Sequence, residues 1–232
     1  TKHRKVSASS WFETGLMSSD HTYQGWDGAK WIGPGDKDRT FCSHYLPVFK
    51  LNFSLQLDEA SKTTRSGFIY GANDERLMER YKNLYQLKKP KDESYIKVEL
   101  DIAPLFSGKD AVLNIYRAGY HPNDKKDVPY RSFTIPQEII NEHNKYDWHR
   151  ISLHSNLGFT QFYVDNADKQ IGSVNLNPLG QGGDFIAFPV VGDVGYFVPA
   201  GQAASFSKVE IANFRSPANV ITTLQDSVCR IV

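Results

Sequence analysis

Residues 45–57 read Tyr45-Leu46-Pro47-Val48-Phe49-Lys50-Leu51-Asn52-Phe53-Ser54-Leu55-Gln56-Leu57. From Phe49 onward every second residue is apolar, and Lys50, Asn52, Ser54 and Gln56 stand between them. Successive side chains on a strand point to opposite faces, so this stretch is a strand with one buried and one wet face. Further strands read at 66–72, 83–87, 94–102, 111–118, 129–134, 149–155, 160–165, 185–191, 196–198 and 205–214. Turn chemistry separates them, as in Ser107-Gly108-Lys109-Asp110, His121-Pro122-Asn123-Asp124 and Gly180-Gln181-Gly182-Gly183. The clearest hairpin joins 151–155 to 160–165 through Asn156-Leu157-Gly158. One short helical turn is expected over 136–143, opened by Pro136 with Glu138 in its first turn. Asp74 to Lys82 reads as a long loop with one helical turn. Many short strands without alternating long helices make an all-β sandwich the expected class.

The chain has 232 residues, with 27 Lys+Arg against 26 Asp+Glu and a formal net charge of +1. That balance argues against a dedicated nucleic-acid binder, because phosphate contacts need a clustered surplus of cations. No apolar run approaches the roughly 18–20 residues of a transmembrane helix, so no membrane partner is expected. The two cysteines, Cys42 and Cys229, exclude a disulfide scaffold and a four-cysteine zinc site. The basic start, Thr1-Lys2-His3-Arg4-Lys5, is not followed by an apolar stretch and is not a signal peptide. The chain is expected to be a piece of a longer polypeptide. Residues 1–34, rich in Trp, Gly, Ser and His without a period, read as a connector packing through Trp11, Trp26 and Trp31. Residues 35–219 form the sandwich, and 220–232 a tail leading to a next domain.

Glu99-Leu100-Asp101-Ile102 is the sharpest catalytic candidate. Residues two apart share a strand face, and crowded carboxylates raise one pKa, which suits acid/base work on a glycosidic bond. The fragment resembles the start of the laminarinase-type glucanase motif, in which three acids alternate along one strand. Here Ala103-Pro104-Leu105 follows, so the third acid is missing and Pro104 interrupts the strand. A wet-face acid pair flanking Lys97 is the favoured reading. The seven histidines have no metal-ligand spacing. No cofactor is expected, although a calcium ion on Asp165 or Asp193 with backbone carbonyls is compatible with the sequence. No nucleophile elbow is present. Sugar recognition remains, through aromatic faces and planar hydrogen-bonding side chains on loops. The richest loops carry Asn73, Asp74 and Arg76, and Arg117, Tyr120 and His121.

Two stretches resemble a family. Trp11-Phe12-Glu13-Thr14-Gly15-Leu16-Met17, followed by Trp26-Asp27-Gly28-Ala29-Lys30-Trp31-Ile32-Gly33, is similar to a junction near the amino end of bacterial α-L-rhamnosidases. Residues 182–189 and 205–215, with Gly71-Ala72-Asn73-Asp74, are similar to a lectin-like sandwich module in rhamnosidases of gut Bacteroides type. The resemblance implies a concanavalin A-like jelly-roll accessory module. It places the inverting hydrolysis of terminal α-L-rhamnosyl groups in a separate helical barrel, so no catalytic residue carries over. The implied partners are a glycan, such as a rhamnose-containing plant polysaccharide, and the catalytic domain of the same polypeptide. The implied location is periplasmic or extracellular. The expected function is non-catalytic glycan binding or bracing of the barrel. The alternatives are a laminarinase-type glucanase using Glu99 and Asp101, and a structural spacer.

Overall fold

The alternating stretch does form a strand, β1 (Val48–Leu57), in a computed structural model that describes residues 46–72, 74, 94–178, 188–213, 221–223 and 229–231. All of these lie in the second of two units, Thr1–Arg39 and Thr40–Val232. The expected connector over 1–34, the strand at 83–87, the helical turn after Asp74 and the glycine-rich run at 180–183 lie outside the described residues. The other strands are β2 (Arg65–Ala72), β3 (Tyr95–Asp101), β4 (Ala111–Ala118), β5 (Arg131–Ile135), β6 (His149–Asn156) and β7 (Phe159–Val164). They continue with β8 (Gln170–Asn175), β9 (Asp193–Phe197), β10 (Ala204–Asn213), β11 (Ile221–Thr223) and β12 (Cys229–Ile231). Among the described residues the only helix is a 3-10 turn, Ala103–Ser107, with Pro104 near its start and Gly108 in the left-handed conformation at its end.

The strands form two antiparallel sheets. The larger runs β11-β10-β1-β6-β7-β8 with β12 also on β10; the smaller runs β5-β4-β3-β2-β9. The chain is therefore an all-β sandwich, as its period of two predicts. Phe49, Leu51, Phe53, Leu55 and Leu57 all point into the core. From the smaller sheet they meet Phe68, Tyr70, Ile96, Val98, Leu100, Leu113 and Ile115. Aromatic pairs bridge the layers: Phe53 on Phe68 at 5.0 Å, Phe49 on Tyr70 at 5.6 Å, Phe162 on Phe133 at 5.7 Å and Phe206 on Tyr196 at 4.4 Å between centroids. Such pairs add about 0.5–1.5 kcal/mol each beyond burial. Among the described residues no helix is long and apolar enough to cross a membrane.

Several local readings differ. Residues 136–143 form turns rather than a helix. Ile139 N–H bonds Pro136 O, but then the side chains of Asn141 and Asn144 take over the backbone groups: Asn144 Oδ1 accepts from Asn141 N–H and Asn144 Nδ2 donates to Ile139 O. Local Asn bonds of this kind compete with helix continuation. The apolar run around Val190 and Val191 is buried without being a strand. The hairpin β6–β7 turns on Leu157 and Gly158, both at positive φ, in the manner of a type I′ turn. β11 and β12 each find their partner in β10, which their own patterns do not reveal.

β8 was not read from the sequence because its pattern is broken at Gly172. That glycine has a packing reason: a Cβ there would lie 2.1–2.7 Å from three ring atoms of Phe133. Replacing Gly172 by Ala forces that ring off Phe162, so Gly172→Ala is expected to lower stability by about 1–3 kcal/mol in chemical denaturation. Adding Phe133→Leu should recover part of the loss. An unchanged denaturation midpoint for Gly172→Ala would contradict this packing.

Candidate functional site

The loop leaving β4 is organised by one carboxylate. Arg117, the penultimate residue of β4, falls on the core face, where it pairs across the ladder with Ile96. A buried guanidinium needs a counter-charge and acceptors. Asp124 supplies the charge: its oxygens accept from Arg117 Nε at 2.9 and 3.2 Å, and Arg117 NH2 lies 2.9 Å from Oδ1. The same carboxylate accepts backbone N–H groups of Tyr120 at 3.1 Å and His121 at 2.8 Å. Arg117 NH1 also donates to the carbonyl of Leu176 at 3.1 Å, and the guanidinium lies 4.2 Å from the Tyr130 ring centroid. Tyr130 hydroxyl donates weakly to Asn175 O at 3.4 Å, and the residue is 44% exposed. Around this ring Asn123, Lys125, Val128 and Pro129 line a shallow pocket of about 220 Å³ with Arg117 and Asp124.

The predicted binding residues take different parts here. Arg117, Tyr120 and His121 converge on Asp124. Tyr120 is fully buried, and its hydroxyl donates to Gly71 O at 2.7 Å, tying this loop to the end of β2. His121 Nδ1 accepts from Asn123 N–H at 3.1 Å. Asp74 is buried beyond that end of β2, its N–H donating to Ser94 Oγ at 3.2 Å. Asn73 and Arg76 lie outside the described residues. Asp124, Tyr130, Asn123 and Lys125 were not singled out from the sequence. The available signal was an Asp closing a His-Pro-Asn turn seven residues after an Arg, a turn-capping position by residue type.

Glu99 and Asp101 do share the outer face of β3. Glu99 is fully buried, with Oε2 accepting from Lys97 Nζ at 2.8 Å and Oε1 from Tyr116 hydroxyl at 3.0 Å. Lys97 Nζ in turn sits 3.9 Å from the Tyr116 ring centroid and 3.8 Å from that of Phe197. Burial and the adjacent Glu99 carboxylate push the Tyr116 hydroxyl well above the usual phenol range. Asp101 is raised above the usual carboxylate range chiefly by burial, with Glu99 adding to it; the N–H of Ala103 and the charge of Arg65 oppose the shift. Both Glu99 oxygens are thus spent on neighbours in the same sheet.

Among the described residues no three His, Cys, Asp or Glu side chains converge as a metal cluster. Asp165 caps a turn at φ 55°, with Oδ1 accepting Arg150 N–H at 2.6 Å and Oδ2 lying 2.7 Å from His149 Nδ1. Asp193 opens β9 opposite Ala72.

No family model matches the chain, and no curated protein matches it. Solved structures resemble it in the course of the chain. A protein of unknown function with a galectin-like fold from Bacillus subtilis is 12% identical, with a TM-score of 0.44 over 71% of each chain. The carbohydrate-binding module CBM66 from Bacillus subtilis is 9% identical, with a TM-score of 0.39 over 71% of this chain and 74% of its own. A GH43 protein from Bacillus licheniformis is 10% identical, with a TM-score of 0.36 over 69% of this chain and 26% of its own.

Two outcomes follow from this geometry. Asp124→Ala strands a buried guanidinium and two backbone N–H groups, so a loss of about 3–5 kcal/mol is expected in urea denaturation; a loss below about 1 kcal/mol would contradict the hub. For Asp101, a carboxyl raised in the fold is favoured when protonated, so its contribution to stability declines as pH rises from about 4, the unfolded value. Asp101→Asn is therefore expected to be as stable as the parent or more so at pH 7, with the difference vanishing below about pH 4. Melting curves across that range check it, and a variant uniformly less stable at every pH would refute the shift.

Proposed function

We propose that the chain is a non-catalytic carbohydrate-binding module, with the loop pocket at Tyr130 as its binding site. The observation that carries this reading is the pinned ring. The Arg117 guanidinium lies 4.2 Å from the Tyr130 ring centroid while the residue stays 44% exposed, so the ring is held in place before a ligand arrives. Aromatic faces take the C–H face of a sugar ring, and preformed sites lose less entropy on binding. Asn123 and Lys125 stand beside it, where they can donate to ring hydroxyls. Asp124 orients the loop and does not itself need to touch the ligand.

Catalysis by Glu99 and Asp101 is the less favoured reading. A retaining glycosidase needs two carboxyl groups facing each other across the scissile bond, about 5–5.5 Å apart. Glu99 instead has both oxygens committed to Lys97 and Tyr116.

The finer assignment is to an exported α-L-rhamnosidase whose catalytic barrel lies elsewhere in the polypeptide, with a rhamnose-containing plant glycan as ligand. It rests on the resemblance carried by residues 11–17, 26–33, 71–74, 182–189 and 205–215. A glycan array probed with the full chain tests both levels. Binding to rhamnose-bearing glycans supports the finer reading, and binding to other glycans leaves only the coarser one. On any glycan retained, Tyr130→Ala is expected to weaken binding at least about tenfold, within the loss usual for an aromatic anchor, while Tyr130→Phe keeps most of it. Absence of binding by the parent chain, or equal binding by Tyr130→Ala, would overturn the site.

A further inference from the structure

Among the described residues five large apolar side chains stand exposed, and three of them, Val128, Tyr130 and Phe159, are 53%, 44% and 44% exposed. Val128 and Tyr130 precede β5 in the smaller sheet and line the loop pocket together, whereas Phe159 opens β7 in the larger sheet. Both rings nevertheless meet at Asn175. The Tyr130 hydroxyl donates to its carbonyl at 3.4 Å, and Asn175 is the ladder partner of Phe159. Burial alternates along β7, with Thr160, Phe162 and Val164 inside, so Phe159 stands on the outer face of the sheet. A single exposed ring is ordinary, but exposed apolar side chains grouped together mark a contact surface.

The supports of the two rings are fastened to the same short segment, 175–177. Leu176 N–H donates to the carbonyl of Gly158, the residue before Phe159, at 2.8 Å. Leu176 O accepts at 3.1 Å from NH1 of Arg117, whose guanidinium lies against Tyr130. Leu176 is fully buried, which keeps water from competing for these bonds. The turn before β7 also packs tightly on this segment. A Cβ on Gly158, at φ 90°, would lie 2.8 Å from Asn177 N and 3.0 Å from Asn177 Cβ, and Asn177 N–H itself bonds Asn175 Oδ1 at 3.0 Å. The rings of Tyr130 and Phe159 therefore stand in a set relation on either side of the edge strand β8. Gln161, the next outward residue of β7, has its amide fixed by donation to Gln170 Oε1 at 2.8 Å. One aromatic face takes the C–H face of one sugar, so two rings held apart offer two places, with little ordering left to do on binding.

We propose that the Tyr130 site continues over Asn175 to Phe159 and takes at least two consecutive sugars of a glycan chain rather than a single terminal sugar. This rests on the reading of Tyr130 as a sugar platform and names the form of ligand that platform accepts.

The test is a ¹H–¹⁵N titration of the full chain with paired probes: L-rhamnose against a linear rhamnotetraose, D-xylose against xylotetraose and D-glucose against cellotetraose. In at least one pair the tetrasaccharide is expected to shift the amides of Phe159 and Asn175 together with those of Asn123 and Lys125, and to bind more tightly than its monosaccharide. Phe159→Ala is expected to keep the parent denaturation midpoint and to cost the tetrasaccharide at least about fivefold in affinity, the lower bound for a contributing interface residue. Phe159→Tyr, which keeps the ring, is expected to retain most of that affinity. Shifts at Asn123 and Lys125 without any at Phe159, a tetrasaccharide no tighter than its monosaccharide, or parent-like tetrasaccharide binding by Phe159→Ala would overturn the extension while leaving the Tyr130 platform standing. If none of these sugars moves Asn123 or Lys125, the platform and its extension fall together.

Discussion

The contact on which the rest depends is aromatic and crosses the layers. Phe53 stacks on Phe68, Phe68 meets Tyr196 edge-on at 5.5 Å, and Tyr196 packs on Phe206, so a continuous chain of rings passes between the sheets twice. Each ring sits on a strand whose side chains alternate. Committing one residue to this seam therefore commits its neighbours to the outside. A one-residue slip of β1 would turn Lys50, Asn52 and Gln56 into the rings and put Phe49 and Phe53 in water. The seam thus sets which residues face outward, including Gln56 and Ser205 on one sheet and Lys97 and Glu99 on the other.

With the strands locked, both ends of the sandwich use the same device. A carboxylate near a strand end gathers backbone N–H groups and a nitrogen-bearing side chain: Asp124 with Arg117 at one end, Asp165 with His149 at the other. A bare buried ion pair gains little net stability, because desolvation offsets its attraction. Here Asp124 also satisfies two N–H groups of irregular backbone, and Asp165 that of Arg150 near the start of β6, which changes the balance. The result is two loops with fixed shape, one carrying Tyr130 and the other Tyr146. Rigidity in a loop is what lets a weak, polar ligand be held without a large ordering cost.

How much of this was legible in the sequence follows from what periodicity can and cannot record. Phe49 to Leu57 and the β6–β7 hairpin were readable because burial on one face writes a period of two. β8 was not, because its inward position at Gly172 is a space made for Phe133, and an absence of side chain reads as a break. The loop after β4 was recognised by composition, yet its hub was not. Arg117 and Tyr120 attract notice as recognition residues, whereas in the fold they are the buried frame that presents Tyr130. Sequence alone has no signal for which polar residue of a loop turns inward.

Glu99 and Asp101 make the same point about chemistry. The spacing that suggests a catalytic pair is also the spacing that any strand with a polar face produces. What separates the two cases is where the lone pairs go. Glu99 receives one bond from Lys97 on its own strand and one from Tyr116 on the next, and Lys97 is itself held between the rings of Tyr116 and Phe197. A cation between two aromatic faces and a carboxylate shared by an ammonium and a phenol form a closed set, each member satisfying another. Such a set ties β3 and β4 to β9 across the intervening β2. To act as a proton donor or nucleophile Glu99 would first have to leave it, abandoning Lys97 and Tyr116 in a buried place.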